Sequence, residues 1–250
     1  MKDKNYLIAG CSGLLGASVT RHLLEEGASV IAMDLSPYKY QDEFMGLVKA
    51  GAKLSFVQAD ITKEEDVVSL FNTLEHVDGA VNCTYPRNKQ YGKHFFDVSM
   101  NSFNDNVSLH LGSSFVFSQQ AAKYFKKQEK EFSLVNVSSI YGVVAPKFEI
   151  YENTPMTMPV EYAAIKSALL HLNKYIVNYI SDSRFRINSI SPGGIFDSQP
   201  EAFLNAYKKH THGSGMLDVK DMLGAIVFLL SENSKFITGQ NIIIDDGFSL

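Results

Sequence analysis

The stretch Tyr6-Leu7-Ile8-Ala9-Gly10-Cys11-Ser12-Gly13-Leu14-Leu15-Gly16 decides how this chain folds. A short apolar run ends in glycines at every third position, and a helix-length amphipathic segment, Leu15–Glu26, begins there. Glycine at such points permits a tight turn, lets an anion approach the backbone, and lets strand and helix pack closely. The helix start adds backbone N–H groups without partners, so Ser12, Gly13, Leu14, Leu15 and Gly16 form a ready anion cradle. Three glycines are common in turns. The strand before them and the helix after them make the reading specific.

The same alternation continues along the chain. Strand-like runs fall at Tyr6–Ala9, Ser29–Met33, Leu54–Gln58, Gly79–Asn82, Leu134–Val137, Arg186–Ser191 and Asn241–Ile244. Helices are expected near Leu15–Glu26, Lys63–Leu74, Asn104–Lys127, Val160–Ser181 and Val219–Leu229. Gly27 closes the first and Thr62 opens the second. Several strand runs are apolar throughout, as expected when helices cover both faces of a parallel sheet. The pattern predicts an α/β fold, a doubly wound parallel sheet of about seven strands. A single domain over residues 1–250 accommodates it. Val143–Pro159 and Ile195–Gly215 fit no regular element and are expected as substrate loops. Both follow strand C-termini, the edge where such sheets bind ligands.

Composition narrows the partners. With 23 basic and 27 acidic side chains, the formal charge is −4. That balance gives no electrostatic reason to expect nucleic acid or an anionic membrane. No apolar run approaches the length of about 18 residues that spans a bilayer, Met222–Leu230 being the best. Met1-Lys2-Asp3-Lys4 leads straight into the first strand without signal-peptide architecture, and the expectation is a cytoplasmic protein. Cys11 and Cys83 suffice for neither a disulfide framework nor a zinc site, and His210-Thr211-His212 lacks an evident third ligand. No metal is expected.

Asp34 ends the second strand, 18 residues beyond Gly16. A carboxylate there accepts hydrogen bonds from adenosine ribose hydroxyls and repels a 2′-phosphate. No lysine or arginine follows until Lys39, so NAD is expected over NADP. Asp60 with Ile61, after the third strand, and Asn82, after the fourth, lie on the same edge and are expected beside adenine and ribose. Each also fits as a simple turn or cap residue.

Tyr162-Ala163-Ala164-Ile165-Lys166 sets a phenol and an ammonium one helical turn apart on one face. Ser138-Ser139 closes the fifth strand, and Pro192-Gly193-Gly194-Ile195 the sixth. Taken in order, the glycine turn, Asp34, Asp60, Asn82, Ser139, Tyr162 with Lys166, and Pro192-Gly193 resemble the short-chain dehydrogenase/reductase family over essentially the whole chain. Thr238-Gly239-Gln240 and Asp245-Asp246-Gly247 resemble its last-strand signature. The resemblance implies a Rossmann-type fold and a nicotinamide cofactor, with Pro192, Gly193 and Ile195 completing its site. Tyr162 would be the general acid/base, and Ser139 would hydrogen-bond the reacting oxygen. Lys166 would hold the nicotinamide ribose and favour the phenolate of a side chain whose usual pKa, about 10, is too high for base catalysis near neutrality. It also implies a homodimer or homotetramer paired through the helices near Asn104–Lys127 and Val160–Ser181. Their Phe115, Phe117, Ala168, Leu169 and Leu172 exceed what one sheet face needs.

Four departures from the family pattern stand out. The spacing Gly10, Gly13, Gly16 resembles the extended, sugar-nucleotide-modifying branch. Asn82-Cys83-Thr84-Tyr85 replaces Asn-Asn-Ala-Gly. The asparagine of the proton relay falls on His110, with Asn106 the alternative if the alignment slips. The 23 positions from Ser139 to Tyr162 exceed the usual number by roughly ten, the extra residues lying in Lys147–Val160, where they could cover the substrate. The resulting expectation is an NAD-dependent oxidoreductase interconverting a secondary alcohol and a ketone. The alternatives are a sugar-nucleotide epimerase or dehydratase, or a non-catalytic NAD-binding regulator. Only 88 residues follow Tyr162, too few for the substrate lobe of the extended branch. The stretch Tyr151–Lys166 is similar to bacterial oxidoreductases of flagellin modification and surface-glycan synthesis, which suggests a sugar-derived substrate.

Overall fold

Strands β1 (Asn5–Ala9), β2 (Ser29–Asp34), β3 (Leu54–Gln58), β4 (Gly79–Asn82), β5 (Phe132–Val137), β6 (Phe185–Pro192) and β7 (Asn241–Ile244) form one sheet in a computed structural model that describes residues 1–250. Their order is β3-β2-β1-β4-β5-β6-β7, and every neighbouring pair is parallel. The chain moves outward from β1 to β3, returns to the other side of β1 at β4, and moves outward again. That reversal opens a crevice between the C-terminal ends of β1 and β4. Ala9 pairs in register with Met33 on one side and Asn82 on the other, which brings the loops after β1, β2 and β4 together there.

Eight α-helices accompany the strands: α1 (Leu14–Glu25), α2 (Gln41–Leu47), α3 (Glu64–Thr73), α4 (Met100–Asn106), α5 (Ser113–Gln128), α6 (Val160–Ile180), α7 (Glu201–Lys208) and α8 (Leu223–Leu230). Alternation along the strands divides the core into two layers. Tyr6, Ile8, Val30, Ala32, Val81 and Val135 face Leu23 and Leu24 of α1 and Ile226 and Leu229 of α8. Leu7, Ala9, Ala80, Leu134 and Ile187 face Phe71 of α3, Phe117 and Phe125 of α5 and Ile176 of α6. A third cluster, including Tyr141, Tyr151, Phe203, Tyr207 and Phe248, lies beyond the strand C-termini.

The structure departs from the sequence expectations in several places. The helix expected over Asn104–Lys127 is interrupted by a π-helical turn, Val107–Gly112, which separates α4 from α5. The segment Ile195–Gly215 is not irregular throughout: it contains α7, whose Phe203 and Tyr207 pack inward. A short 3-10 turn, Phe148–Tyr151, interrupts the loop over 143–159. Phe117 and Leu169, expected as surplus apolar surface, are buried; Phe117 meets Phe71 edge-on at 5.2 Å. Burying such a ring contributes about 1.5–3 kcal/mol to the monomer itself. Phe115 stays 44% exposed.

Candidate active site

Gly10 adopts φ +85°, and a Cβ there would lie 3.1 Å from the Cys83 backbone. Glycine therefore lets β1 turn sharply against β4. Gly16 meets a harder limit, since its Cβ would lie 2.0 Å from the Gly10 carbonyl oxygen. With Gly13 extended and no side chain capping α1, the first N–H groups of that helix stay free for an anion. This geometry fits a dinucleotide pyrophosphate. Asp34 faces the same end, its Oδ2 accepting from Ser12 N–H at 3.0 Å. Lys39 is close by, its Nζ donating to the Ser12 carbonyl oxygen at 3.3 Å.

A cleft of about 1420 Å³ runs from this turn across the strand ends. Gly10, Ser12, Gly13, Leu14, Leu15, Asp34, Asp60, Ile61, Ser139, Tyr162, Lys166, Pro192, Gly193 and Ile195 all line it. Three expected site residues do not. Gly16 lies beneath Gly10 as a packing contact. Asn82 is buried, and its Oδ1 accepts from Thr84 N–H and Oγ1 at 3.1 and 2.7 Å, so it shapes the turn after β4. His110 is buried on the π-helical turn, its ring packed edge-on against Tyr85 at 5.2 Å. Burial, reinforced by the Lys166 charge, lowers its pKa to about 2, so it stays neutral. The other relay candidate, Asn106, donates to Glu161 Oε1 at 3.2 Å and clamps a loop, away from the cleft wall.

Lys166 and Tyr162 come from the first two turns of α6, which starts directly after Pro159. The Lys166 ammonium lies 5.5 Å from the Tyr162 ring centre and donates to the Val137 carbonyl oxygen at 2.7 Å. Lys166 is only 3% exposed, and burial lowers its pKa to about 7. Burial pushes the Tyr162 phenol up, with the neighbouring Ser139 hydroxyl opposing the shift. Ser139 is held by its own turn, its Oγ accepting from Tyr141 N–H at 3.2 Å. Phenol, ammonium and hydroxyl therefore share one cleft wall.

Two contributors escaped the sequence reading. Tyr85 stands where the family pattern has glycine, its ring 5.5 Å from that of Tyr162. That replacement was visible in the sequence, but nothing there said which way the ring would turn. Tyr207 accepts from Gly194 N–H at 2.6 Å and fixes the turn after β6. His210 approaches Glu149 at 3.7 Å, and no group of three or more His, Cys, Asp or Glu side chains is placed to hold a metal. Burial pushes the thiols of Cys11 and Cys83 up to about 11 and about 12, which leaves both protonated near neutrality.

A parallel sheet with a glycine cradle at its switch point and a serine, tyrosine and lysine along the same edge has the form of a nicotinamide-dependent oxidoreductase. The comparisons agree. A family model described as enoyl-(acyl carrier protein) reductase matches residues 10–249. A flagellin post-translational modification protein A of Campylobacter coli is 34% identical over 261 residues, covering 100% of both chains. A 7alpha-hydroxysteroid dehydrogenase of Bacteroides fragilis is 26% identical over 258 residues, covering 100% of this chain and 95% of its own. The crystal structure of a short chain dehydrogenase from Leptospira borgpetersenii with bound NAD+ superposes with a TM-score of 0.85 at 30% identity, covering 100% of this chain and 94% of that one. The chain belongs to the short-chain dehydrogenase/reductase family.

Proposed function

We propose that this protein is an NAD-dependent oxidoreductase that interconverts a secondary alcohol and its ketone on a small, sugar-derived substrate. The observation that carries the proposal is the sharing of one cleft by Ser139, Tyr162 and Lys166 with the glycine cradle and Asp34. Asp34 would accept hydrogen bonds from the adenosine ribose, and its charge would oppose a 2′-phosphate. The likeness to a structure with bound NAD+ supports the same coenzyme. When bound, the cofactor supplies or accepts the hydride.

The protein's own groups would handle the proton. During reduction, Tyr162 Oη donates a proton to the carbonyl oxygen while Ser139 Oγ donates a hydrogen bond to the same atom. Burial favours the protonated phenol of Tyr162, which suits it to that donation. Lys166 would exchange the Val137 carbonyl for the nicotinamide ribose hydroxyls and stabilise the phenolate left behind. The Tyr85 ring would exclude water from one side of the reacting centre, and His110 would position that ring as a neutral support.

Similarity to a flagellin modification protein supports a substrate used in surface-glycan or flagellin modification. A homodimer or homotetramer is the expected assembly, since α6 carries Tyr175 and Tyr179 at 64% and 76% exposure. The functional reading is tested by mixing purified protein and NADH with a panel of sugar-derived ketones and following loss of dihydronicotinamide absorbance. Oxidation of NADH coupled to formation of one alcohol supports it. Binding of NADH with no oxidation across the panel counts against it.

A further inference from the structure

Arg87 is a cation on the cleft wall whose charge no carboxylate of the chain neutralises. Only two basic residues line the cleft, Arg87 and Lys166, and the Lys166 ammonium is engaged with the Val137 carbonyl. The five ion pairs of the protein do not include Arg87. Of the acids along the same cleft, Asp34 and Asp60 stand at the adenosine end, and Asp197 belongs to the loop after β6.

The arginine is nonetheless held in place. Its guanidinium carbon lies 4.8 Å from the Tyr85 ring centre and 6.0 Å from that of Tyr91, and the two tyrosine hydroxyls hydrogen-bond each other. The next residue, Asn88, is pinned to α4: its N–H donates to Asn106 Oδ1 at 3.0 Å, and its Nδ2 donates to Asp105 Oδ2 at 2.8 Å. Asn106 is tied in turn to the buried Glu161, the residue preceding Tyr162. The guanidinium sits over the Tyr85 ring and interacts with that residue's hydroxyl, while no carboxylate pairs with it, so N–H donors remain for a planar or tetrahedral oxyanion. Tyr85 then leads directly to Tyr162, ring centre to ring centre, in 5.5 Å. One cation-over-ring contact and one edge-to-face ring contact thus connect the guanidinium to the proton donor.

We propose that Arg87 receives an anionic group of the substrate, a carboxylate or a phosphate, and so selects acidic sugar derivatives over neutral ones. The proposal deepens the oxidoreductase reading and rests on it for the fate of the ligand, but not for the binding preference. A charge-assisted, bidentate contact at a site open to water corresponds to a preference of about ten- to hundredfold.

The test is calorimetric titration of NADH-loaded protein with glucose, glucuronate and glucose 6-phosphate. The wild type is expected to bind at least one of the two anions about tenfold or more tightly than glucose. The arm that binds identifies carboxylate or phosphate. Arg87→Gln is expected to remove the preference with NADH affinity and melting temperature unchanged, and Arg87→Lys to retain part of it. Equal affinity for the three probes, no binding of any of them at millimolar concentration, or a preference that survives in Arg87→Gln would overturn the proposal. A parallel loss of NADH affinity in Arg87→Gln would also overturn it, by assigning the arginine to the cofactor. Failure of hydride transfer in the separate turnover assay, with the anion preference intact, would defeat the oxidoreductase reading alone.

Discussion

Lys166→Met is expected to make the ligand-free protein more stable below neutral pH while removing a group that the proposed mechanism requires. Burial lowers the Lys166 pKa from 10.5 to about 7. At about 1.36 kcal/mol per pKa unit, that difference caps the cost of keeping the buried amine charged at about 5 kcal/mol. Methionine also removes the donor that meets the Val137 carbonyl at 2.7 Å. An acceptor left unpaired costs about 1–3 kcal/mol, so the net gain below neutrality is about 2–4 kcal/mol. Because the folded pKa lies below the unfolded one, the unfolded chain binds more protons between about pH 7 and pH 10.5. Lys166 therefore makes wild-type stability rise with pH through that window. Above it the amine is neutral in both states and only the lost hydrogen bond remains, which leaves the variant less stable by about 1–3 kcal/mol. Urea unfolding of both ligand-free proteins at about pH 6 and about pH 11 reads this crossover, and the titrations common to both cancel in the difference. Parallel stability profiles would mean that the ammonium is hydrated in solution and would refute the reasoning.

Gly16→Ala should weaken NADH binding at least about tenfold, because relieving a 2.0 Å contact with the Gly10 carbonyl must open the cradle. Calorimetry checks it, and unchanged affinity would count against the cradle. Asp34→Ala should narrow the preference for NADH over NADPH, helped by the Lys39 ammonium beside Ser12, as read from the two dissociation constants. Light scattering at micromolar concentration should give a dimeric or tetrameric mass, and Tyr175→Glu together with Tyr179→Glu should lower it if α6 forms the contact.

The strands were legible because parallel β-runs covered on both faces are mostly apolar, as in Tyr6–Ala9 of β1 and Val30–Met33 of β2; β6 buries Arg186, Asn188, Ser189 and Ser191 among its apolar residues, and it still extends only one residue beyond the expected run at each end. Short helices were not. α2 buries only Phe44 and contains Gly46, and the eight residues of α7 follow Pro200 in a segment rich in turn formers, so neither shows a sustained helical period. Ser139, Tyr162 and Lys166 were singled out by the ordered family resemblance rather than by spacing alone, and strand ends and a single helical turn bring the three to one cleft. The positions of Asn82 and His110 depended on tertiary detail. Asn82 turns back to bond Thr84, and the aromatic ring of Tyr85 stands beside His110. Phe117 and Leu169 misled for a related reason: periodicity says that a helix has an apolar face, not whether the sheet or a second copy covers it.

The most direct test of the central claim is single-turnover oxidation of NADH by a reactive sugar-derived ketone in wild type and Tyr162→Phe. The variant loses one hydroxyl and keeps the ring that packs against Tyr85. The account predicts equal NADH affinity and hydride transfer slowed by at least about a hundredfold, the lower range for loss of a positioned general acid. Transfer at a near-normal rate in Tyr162→Phe would contradict the account and show that another group supplies the proton.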